Sequence, residues 1–481
     1  MFSNSTDAAR RWALPAVVLC GLAGANVAGA LTRPPADGDL GWQSWLGTQV
    51  LHGALPHALG AESFAANGAR WVPQEWLFSA LLAAAHAHGV PWLFTLAIAA
   101  FSIVALICVA IRCARAGAHP AAVAFVLAFT DVAMQQSFGV RVQVVGWAML
   151  AALLLALELP SRWRWTAVAV AMMWANWHAS AVLAPIVCAA AACGSALAGD
   201  RRGAVRDAAI GAACAIAICI TPLGTSLPAY AVALAHSPIR HWIREWQPVS
   251  PGDPAFAFGA LPLLVLAAVA AVRAPRRSAV IALPFLYLLC IAVRNVPLAA
   301  IACAPLAARA LGTLLPSLAA LRPMRPRVAA IAGVTLLACA ATAVSAGTRS
   351  VHDTRPLAAI AAAQRDGRAH RLYCEDFGWC GNATGRISVF LDGRADPFPA
   401  AVWNAYDTVL HVRPGWRAIV RRYRIDAMLV KRDGTLDRAA RRAGWQLARD
   451  GEVRLLVLRR VERVERERHR EPVQRVRHEV G

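Results

Sequence analysis

The stretch Arg33-Pro34-Pro35-Ala36-Asp37-Gly38-Asp39-Leu40-Gly41-Trp42-Gln43 sets two carboxylates one residue apart, directly after an apolar run. Carboxylates at the edge of a hydrophobic span are costly unless they bind a cation, a proton or a substrate. The same Asp-Gly-Asp pattern also serves as a plain turn. Further polar groups interrupt later apolar runs: Glu75, Arg141, Gln143, His178, Glu245, Arg294 and Asn295, with Asp131 inside a run. Carboxylates and arginines together suit a reaction on a lipid-linked phosphate. Arginines neutralise a phosphate leaving group, one carboxylate takes the proton from an attacking hydroxyl, and a second holds a divalent metal. Each residue also has a quieter role open to it. His178 can cap backbone, Glu245 can pair with Arg240 or Arg244, and Arg294-Asn295 can be a solvated turn. Trp42, Trp242 and Trp246 can be interfacial anchors.

The elements that must position these groups are membrane helices. The 481 residues are 58% hydrophobic and only 16% charged, with a mean hydropathy of +0.48, the signature of a polytopic membrane protein. The net charge of +21 is almost all arginine, since Lys431 is the only lysine. It lies in short inter-helix loops and the terminal tail, with no aromatic-interleaved basic motif, so a nucleic-acid surface is not indicated. Ten of the twelve cysteines sit in or beside apolar spans as small packing residues.

Arg10 and Arg11 mark the cytoplasmic end of a first span from about Trp12 to Leu31, read as a retained helix with a cleaved signal peptide as the alternative. Trp42, Trp45, Leu46 and Val50 recur at roughly helical spacing, which predicts a helix lying in the interface. Leu77 to Ala85 is too short to cross and reads as a second such helix. That choice sets the parity of everything after it. The basic clusters Arg112/Arg115, Arg162/Arg164, Arg201/Arg202/Arg206, Arg273/Arg276/Arg277 and Arg322/Arg325/Arg327 then fall on the inside. Asn176-Trp177-His178 becomes an external hairpin tip, Gly224 to Pro254 a long external loop, and Arg294-Asn295-Val296-Pro297 a short external turn. The count is about eleven spans, with the N-terminus inside. The expected division is a transmembrane domain over 1–346, with its first external loop at 32–91, an external domain over 347–458 and a charged tail over 459–481. In the external domain, strands are expected at Arg371–Cys374, Ile387–Leu391, Ala427–Val430 and Arg454–Leu458. Helices are expected at Ala401–His411, Trp416–Arg424 and Leu436–Ala443, giving a small α/β layer. Cys374 and Cys380 can pair if this domain faces an oxidising compartment.

The ordered motifs DGDLGWQ, WVPQEWL, RVQ, WANWHAS, IREWQP, VRNVPLAAI and FLDGRAD cover nearly the whole chain. Together they resemble the bacterial multi-pass proteins grouped with GT-C glycosyltransferases. TPLG and FGWCGNATG stand where that pattern would carry NPYG and WGGYL. The resemblance implies a GT-C-like polytopic α-helical fold with a small C-terminal α/β extracytoplasmic domain, in the bacterial inner membrane. It implies transfer of a sugar from a polyprenyl-phosphate donor to an envelope glycan, lipid or protein acceptor. Asp37 and Asp39 match the family's essential aspartate, with Asp39 the first choice for the base and both as possible ligands of Mg or Mn. Glu75, Arg141, Gln143, His178, Glu245, Arg294 and Asn295 are expected to bind substrate. A non-enzymatic flippase or transporter of lipid-linked sugars is the alternative; the lack of an internal repeat favours the enzyme.

Overall fold

The computed structural model describes residues 3–32, 38–272, 274–320, 325–347 and 355–458. Asp37, Arg273, Arg322 and the charged tail lie outside the described residues. The chain divides into two compact units. One comprises Met1–Pro35, Val50–Gly53 and Val72–Val351, the other Ala36–Gln49, Ala54–Trp71 and His352–Gly481. Most of the loop after the first span therefore groups with the carboxyl-terminal domain.

The first unit is helical. Its elements, with α2 included for chain order, are α1 (Ser3–Thr32), α2 (Asp39–Leu51), α3 (Trp76–Ala87), α4 (Pro91–Arg115), α5 (Pro120–Met134), α6 (Val142–Glu158), α7 (Thr166–Trp177), α8 (Leu183–Leu197), α9 (Arg201–Ala217), α10 (Ser226–Ala235), α11 (Leu261–Ala271), α12 (Arg276–Ile291), α13 (Val296–Leu314) and α14 (Pro326–Gly347). Among the described residues four helical stretches are long and apolar enough to cross a membrane: Arg11–Leu31, Pro91–Arg115, Ala179–Leu197 and Val293–Leu314. The other apolar helices are shorter. The central element is α13, whose Ala-rich sequence is buried nearly all round. Small side chains let α4, α5, α6, α11 and α12 pack closely against it. Where the sequence predicts only loop, α10 adds a helix; its apolar run of ten residues was hidden between Gly224 and Pro254.

One end of this unit is held by arginines. Arg112, near the end of α4, pairs with Glu158 at 2.9 Å and donates to the Ile301 carbonyl. Arg164 and Arg277 grip the fully buried Asp207 at 3.4 and 2.9 Å. They also donate to the carbonyls of Leu159 and Leu157, which end α6. Ser195 donates to the same carboxylate at 3.1 Å. Gly194 permits the approach of α8 to α12, since a Cβ there would lie 2.6 Å from the Arg277 Cα. The basic clusters of four loops thus meet at the ends of α4, α6 and α8 and the starts of α7, α9 and α12.

In the second unit, α2 contributes residues 39–49. Its Trp42 and Leu46 are buried, so the apolar stripe read as membrane-facing is packed within protein. The carboxyl-terminal part contains α15 (Arg355–Arg365), β1 (Arg371–Cys374), α16 (Phe377–Gly381), β2 (Ser388–Val389), α17 (Ala400–Leu410), α18 (Trp416–Arg422), β3 (Ala427–Lys431), α19 (Thr435–Arg442), β4 (Gln446–Arg449) and β5 (Val453–Val457). The sheet runs β2-β1-β3-β5-β4, parallel across β2-β1-β3 and antiparallel beyond. Side chains alternate across it. Leu372, Cys374, Leu429 and Leu455 meet Ile360 of α15 in one core, while Tyr373 stacks on Tyr406 of α17 on the other face. Residues 62–64 extend the outer edge of β2: Val389 N donates to the Glu62 carbonyl and Phe64 N to the Val389 carbonyl. Cys374 and Cys380 form a disulfide.

Candidate functional site

Three helices of the first unit carry one end into the arginine cluster of Asp207 and present their other end to a second polar group. α6 begins beside Arg141, α7 ends at His178, and α12 ends just before Val293–Asn295. At 1.5 Å per residue, the 17 residues of α6 and the 16 of α12 separate their ends by about 25 Å. Arg141, His178 and Arg294 therefore share an end remote from Asp207. Glu75 joins them from the start of α3, its carboxylate 3.8 Å from His178 Nε2. Only three residues separate the end of α3 from α4, whose far end holds Arg112. Phe78 of α3 packs on Phe94, near the start of α4, and on Trp177. Both ends of α3 thus lie on the side of His178, and its 12 residues run about 18 Å, short of a bilayer core.

Arg141 Nη1 lies 2.6 Å from Glu245 Oε1, with the side chains 20% and 34% exposed. Glu245 thus takes a partner 104 residues upstream; its neighbour Arg244 pairs with Asp253 at 3.7 Å. The Arg294 guanidinium stands 5.0 Å from the centroid of the Trp246 ring, a cation–π arrangement. Among the described residues Arg294 forms no ion pair, yet Glu245, Arg141, Glu75 and Tyr230 all act on its charge. Val293 N donates to the Gln247 carbonyl at 2.8 Å and ties the two turns together.

Around His178 the hydrogen bonds fix a tautomer. Ser180 N donates to His178 Nδ1 at 3.0 Å, so the proton sits on Nε2, toward Glu75. Ser180 Oγ lies 2.7 Å from Nδ1 and accepts from the Trp174 indole at 3.0 Å. Gln74 donates to Glu75 at 2.8 Å and accepts from Ala179 N at 2.8 Å. Burial, and then the positive charge of Arg294, hold His178 down to about 3, so the imidazole is neutral at physiological pH. His178 caps the turn after α7 and faces a carboxylate at once.

The structure brings together Glu75, Arg141, His178, Glu245 and Arg294. Gln143 sits half-buried on the first turn of α6, without a side-chain bond among the described residues. Asn295 spends its amide on the Leu288 carbonyl at 2.8 Å, closing α12. Gln74, Ser180 and Tyr230 belong to the group and were not singled out by sequence. Gln74 lay within a quoted motif, whereas Tyr230 lies in α10, the helix read as loop.

Asp39 is held in the second unit. It opens α2, where the helix dipole favours an anion, and its Oδ1 accepts from Trp42 Nε1 at 3.0 Å. Trp42 meets Trp71 edge-on at 6.1 Å and Trp45 stacks on Trp71 at 6.4 Å. Among the described residues no three His, Cys, Asp or Glu side chains gather as a metal site. Asp37, the other member of the expected metal pair, lies outside the described residues.

No family model and no curated protein sequence matches the chain. Solved structures do. The Archaeoglobus fulgidus oligosaccharyltransferase tethered to an acceptor peptide containing the NVT sequon aligns with a TM-score of 0.59 at 11% identity, over 87% of this chain and 69% of that one. The archaeal oligosaccharyltransferase AglB of the same organism, in complex with an inhibitory peptide and a dolichol-phosphate, aligns at 0.57 with 10% identity over the same shares, 87% and 69%. A complex of the Archaeoglobus enzyme with Zn and sulfate aligns at 0.52 with 10% identity, over 85% and 67%. With its apolar helices and small carboxyl-terminal sheet, the chain has a GT-C-like membrane fold.

Proposed function

We propose that the protein is an integral membrane glycosyltransferase of GT-C type. It moves a sugar from a polyprenyl-phosphate donor to an envelope glycan, lipid or protein acceptor on the extracytoplasmic face of the bacterial inner membrane, through a domain of about eleven spans. The observation that carries this reading is Arg294: a half-buried guanidinium beside Arg141, engaged with an indole instead of a carboxylate. Such a cation is available to an anionic leaving group. The fold shared with oligosaccharyltransferases, one of them bound to dolichol-phosphate, supports the donor class. The disulfide of the second unit supports an oxidising compartment for that unit, and the arginine-rich opposite end supports a cytoplasmic face there.

In the proposed reaction an acceptor hydroxyl gives its proton to the Asp39 carboxylate while its oxygen bonds to the anomeric carbon. The bond from that carbon to the phosphate oxygen breaks, and the polyprenyl phosphate leaves with the electron pair. Arg141 and Arg294 neutralise it, and Glu75, through neutral His178, orders the turn that follows α7. Gln143 and Asn295 flank these cations in sequence and are assigned to substrate binding with them. Asp37 and Asp39 would hold a divalent ion such as Mg or Mn, which would supply positive charge to the departing phosphate. The test is transfer from lipid-linked sugars in membranes. Asp39→Asn is expected to lower turnover by about 100-fold or more. Full activity in Asp37→Asn/Asp39→Asn membranes would overturn the mechanism.

A further inference from the structure

The Asp392-Gly393-Arg394 turn of the carboxyl-terminal sheet, part of the FLDGRAD motif, lies against Asp39. A Cβ built on Gly393 would stand 1.9 Å from Asp39 Oδ1 and 3.4 Å from Trp42 Nε1. A side chain there would force the Asp39 carboxylate to shift. The contact is one of a set: a Cβ on Gly38 would fall 2.2 Å from the Gly378 carbonyl oxygen, one on Gly41 2.4 Å from that of Gly381, and one on Gly381 1.9 Å from that of Gly38. The first turn of α2 is thus seated backbone to backbone on α16. These loops follow β1 and β2, at the carboxyl ends of the parallel strands, where open α/β sheets place their ligands. Here the segment Gly38–Trp42 takes that place.

Arg394 secures the seat. Its side chain is fully buried and forks onto Asp392 at 2.7 Å, Glu62 at 3.1 Å and Ser63 at 2.5 Å. Its guanidinium also lies 4.9 Å from the Trp71 ring and 5.5 Å from the Trp45 ring. Trp71 meets Trp42, and Trp42 donates to Asp39. Two routes therefore run from one turn to one carboxylate, a direct backbone contact and an indole relay.

We infer that Gly393 and Arg394 are positioning residues for Asp39, so that the carboxyl-terminal domain works as the jig for the proposed base. This rests on the glycosyltransferase reading for its activity readout, but the geometry has its own. A carboxylate displaced by about 1 Å loses on the order of 100-fold in rate. Full-length Gly393→Ala, assayed with polyprenyl-phosphate-linked sugars, is expected to lose turnover by about that factor with the donor KM unchanged. Hydrogen exchange over residues 39–46 is expected to quicken. Gly367→Ala, at an exposed glycine with nothing within 4 Å, is expected to match wild type in both. Turnover within threefold of wild type in Gly393→Ala would overturn the inference. If Gly393→Ala does not fold, Trp42→Phe keeps an aromatic ring at the position and removes the indole N–H with its five-membered ring. A turnover loss of about tenfold in it supports the inference, and an unchanged rate overturns it. If wild type transfers no sugar, the glycosyltransferase reading fails by itself. The positioning claim is then decided by exchange: unchanged protection of residues 39–46 in Gly393→Ala overturns it.

Discussion

The two ends of α6, α7 and α12 carry the same residue types to opposite purposes. At one end Arg164 and Arg277 converge on a single buried Asp207, and their remaining donors close the last carbonyls of α6. Little donor capacity is left for anything else. At the other end Arg141 meets Glu245, which is 34% exposed, and Arg294 rests on Trp246. The guanidinium groups at the Asp207 end are absorbed by a buried carboxylate and by carbonyls, whereas at the other end Arg141 takes a partly exposed carboxylate and Arg294 an aromatic ring, the arrangement proposed above to receive a phosphate. The kind of partner, more than burial, separates the two uses.

This contrast yields ordered expectations. Asp207→Ala strands two arginines in a buried site and should destabilise the protein by about 3–5 kcal/mol, read as a fall in thermal midpoint in detergent. An unchanged midpoint would erase the distinction between the ends. Between them, Asn26 donates to Asp131 at 2.8 Å and to Ser102 at 3.3 Å, and Gln135 donates to Asn26 at 3.1 Å. Asp131→Ala removes the acceptor from a nearly inaccessible amide and should cost about 1–3 kcal/mol in the same measurement. Glu245→Gln weakens a partly exposed pair, so its stability change should stay within about 1 kcal/mol while donor KM rises. A loss of stability equal to that of Asp207→Ala would make both ends structural. The smallest effect is an absence of one. His178 should stay neutral as pH falls from 8 to 5, because its value lies at about 3 instead of the usual 6.5. Imidazole 15N shifts that titrate near 6.5 would contradict the geometry around Nδ1.

Much of this architecture could be read ahead of the coordinates where side chains announce it. The strands at Arg371–Cys374 and Ala427–Lys431 follow short continuous apolar runs, as buried strands do. The edge strand Gln446–Arg449 does not, since half of it is exposed and it lacks β-branched residues. The stripe of Trp42 and Leu46 has the same spacing whether it rests on lipid or on protein, and only tertiary packing separates the two. Glu245 has two arginines close by in sequence, and nothing local shows that it reaches Arg141. The seat of Asp39 is least legible, because it is made of glycines, whose contribution is the absence of an atom.

The central claim is that the end built from Arg141, His178 and Arg294 takes a phosphate carried on a lipid. Its most direct test is the binding of polyprenyl phosphate to purified full-length protein, comparing wild type with Arg294→Ala and Arg309→Ala. Arg309 is an exposed arginine elsewhere in the first unit. Arg294→Ala is predicted to weaken binding by about tenfold to a hundredfold, and Arg309→Ala to leave it unchanged. Equal affinity in all three proteins would contradict the account.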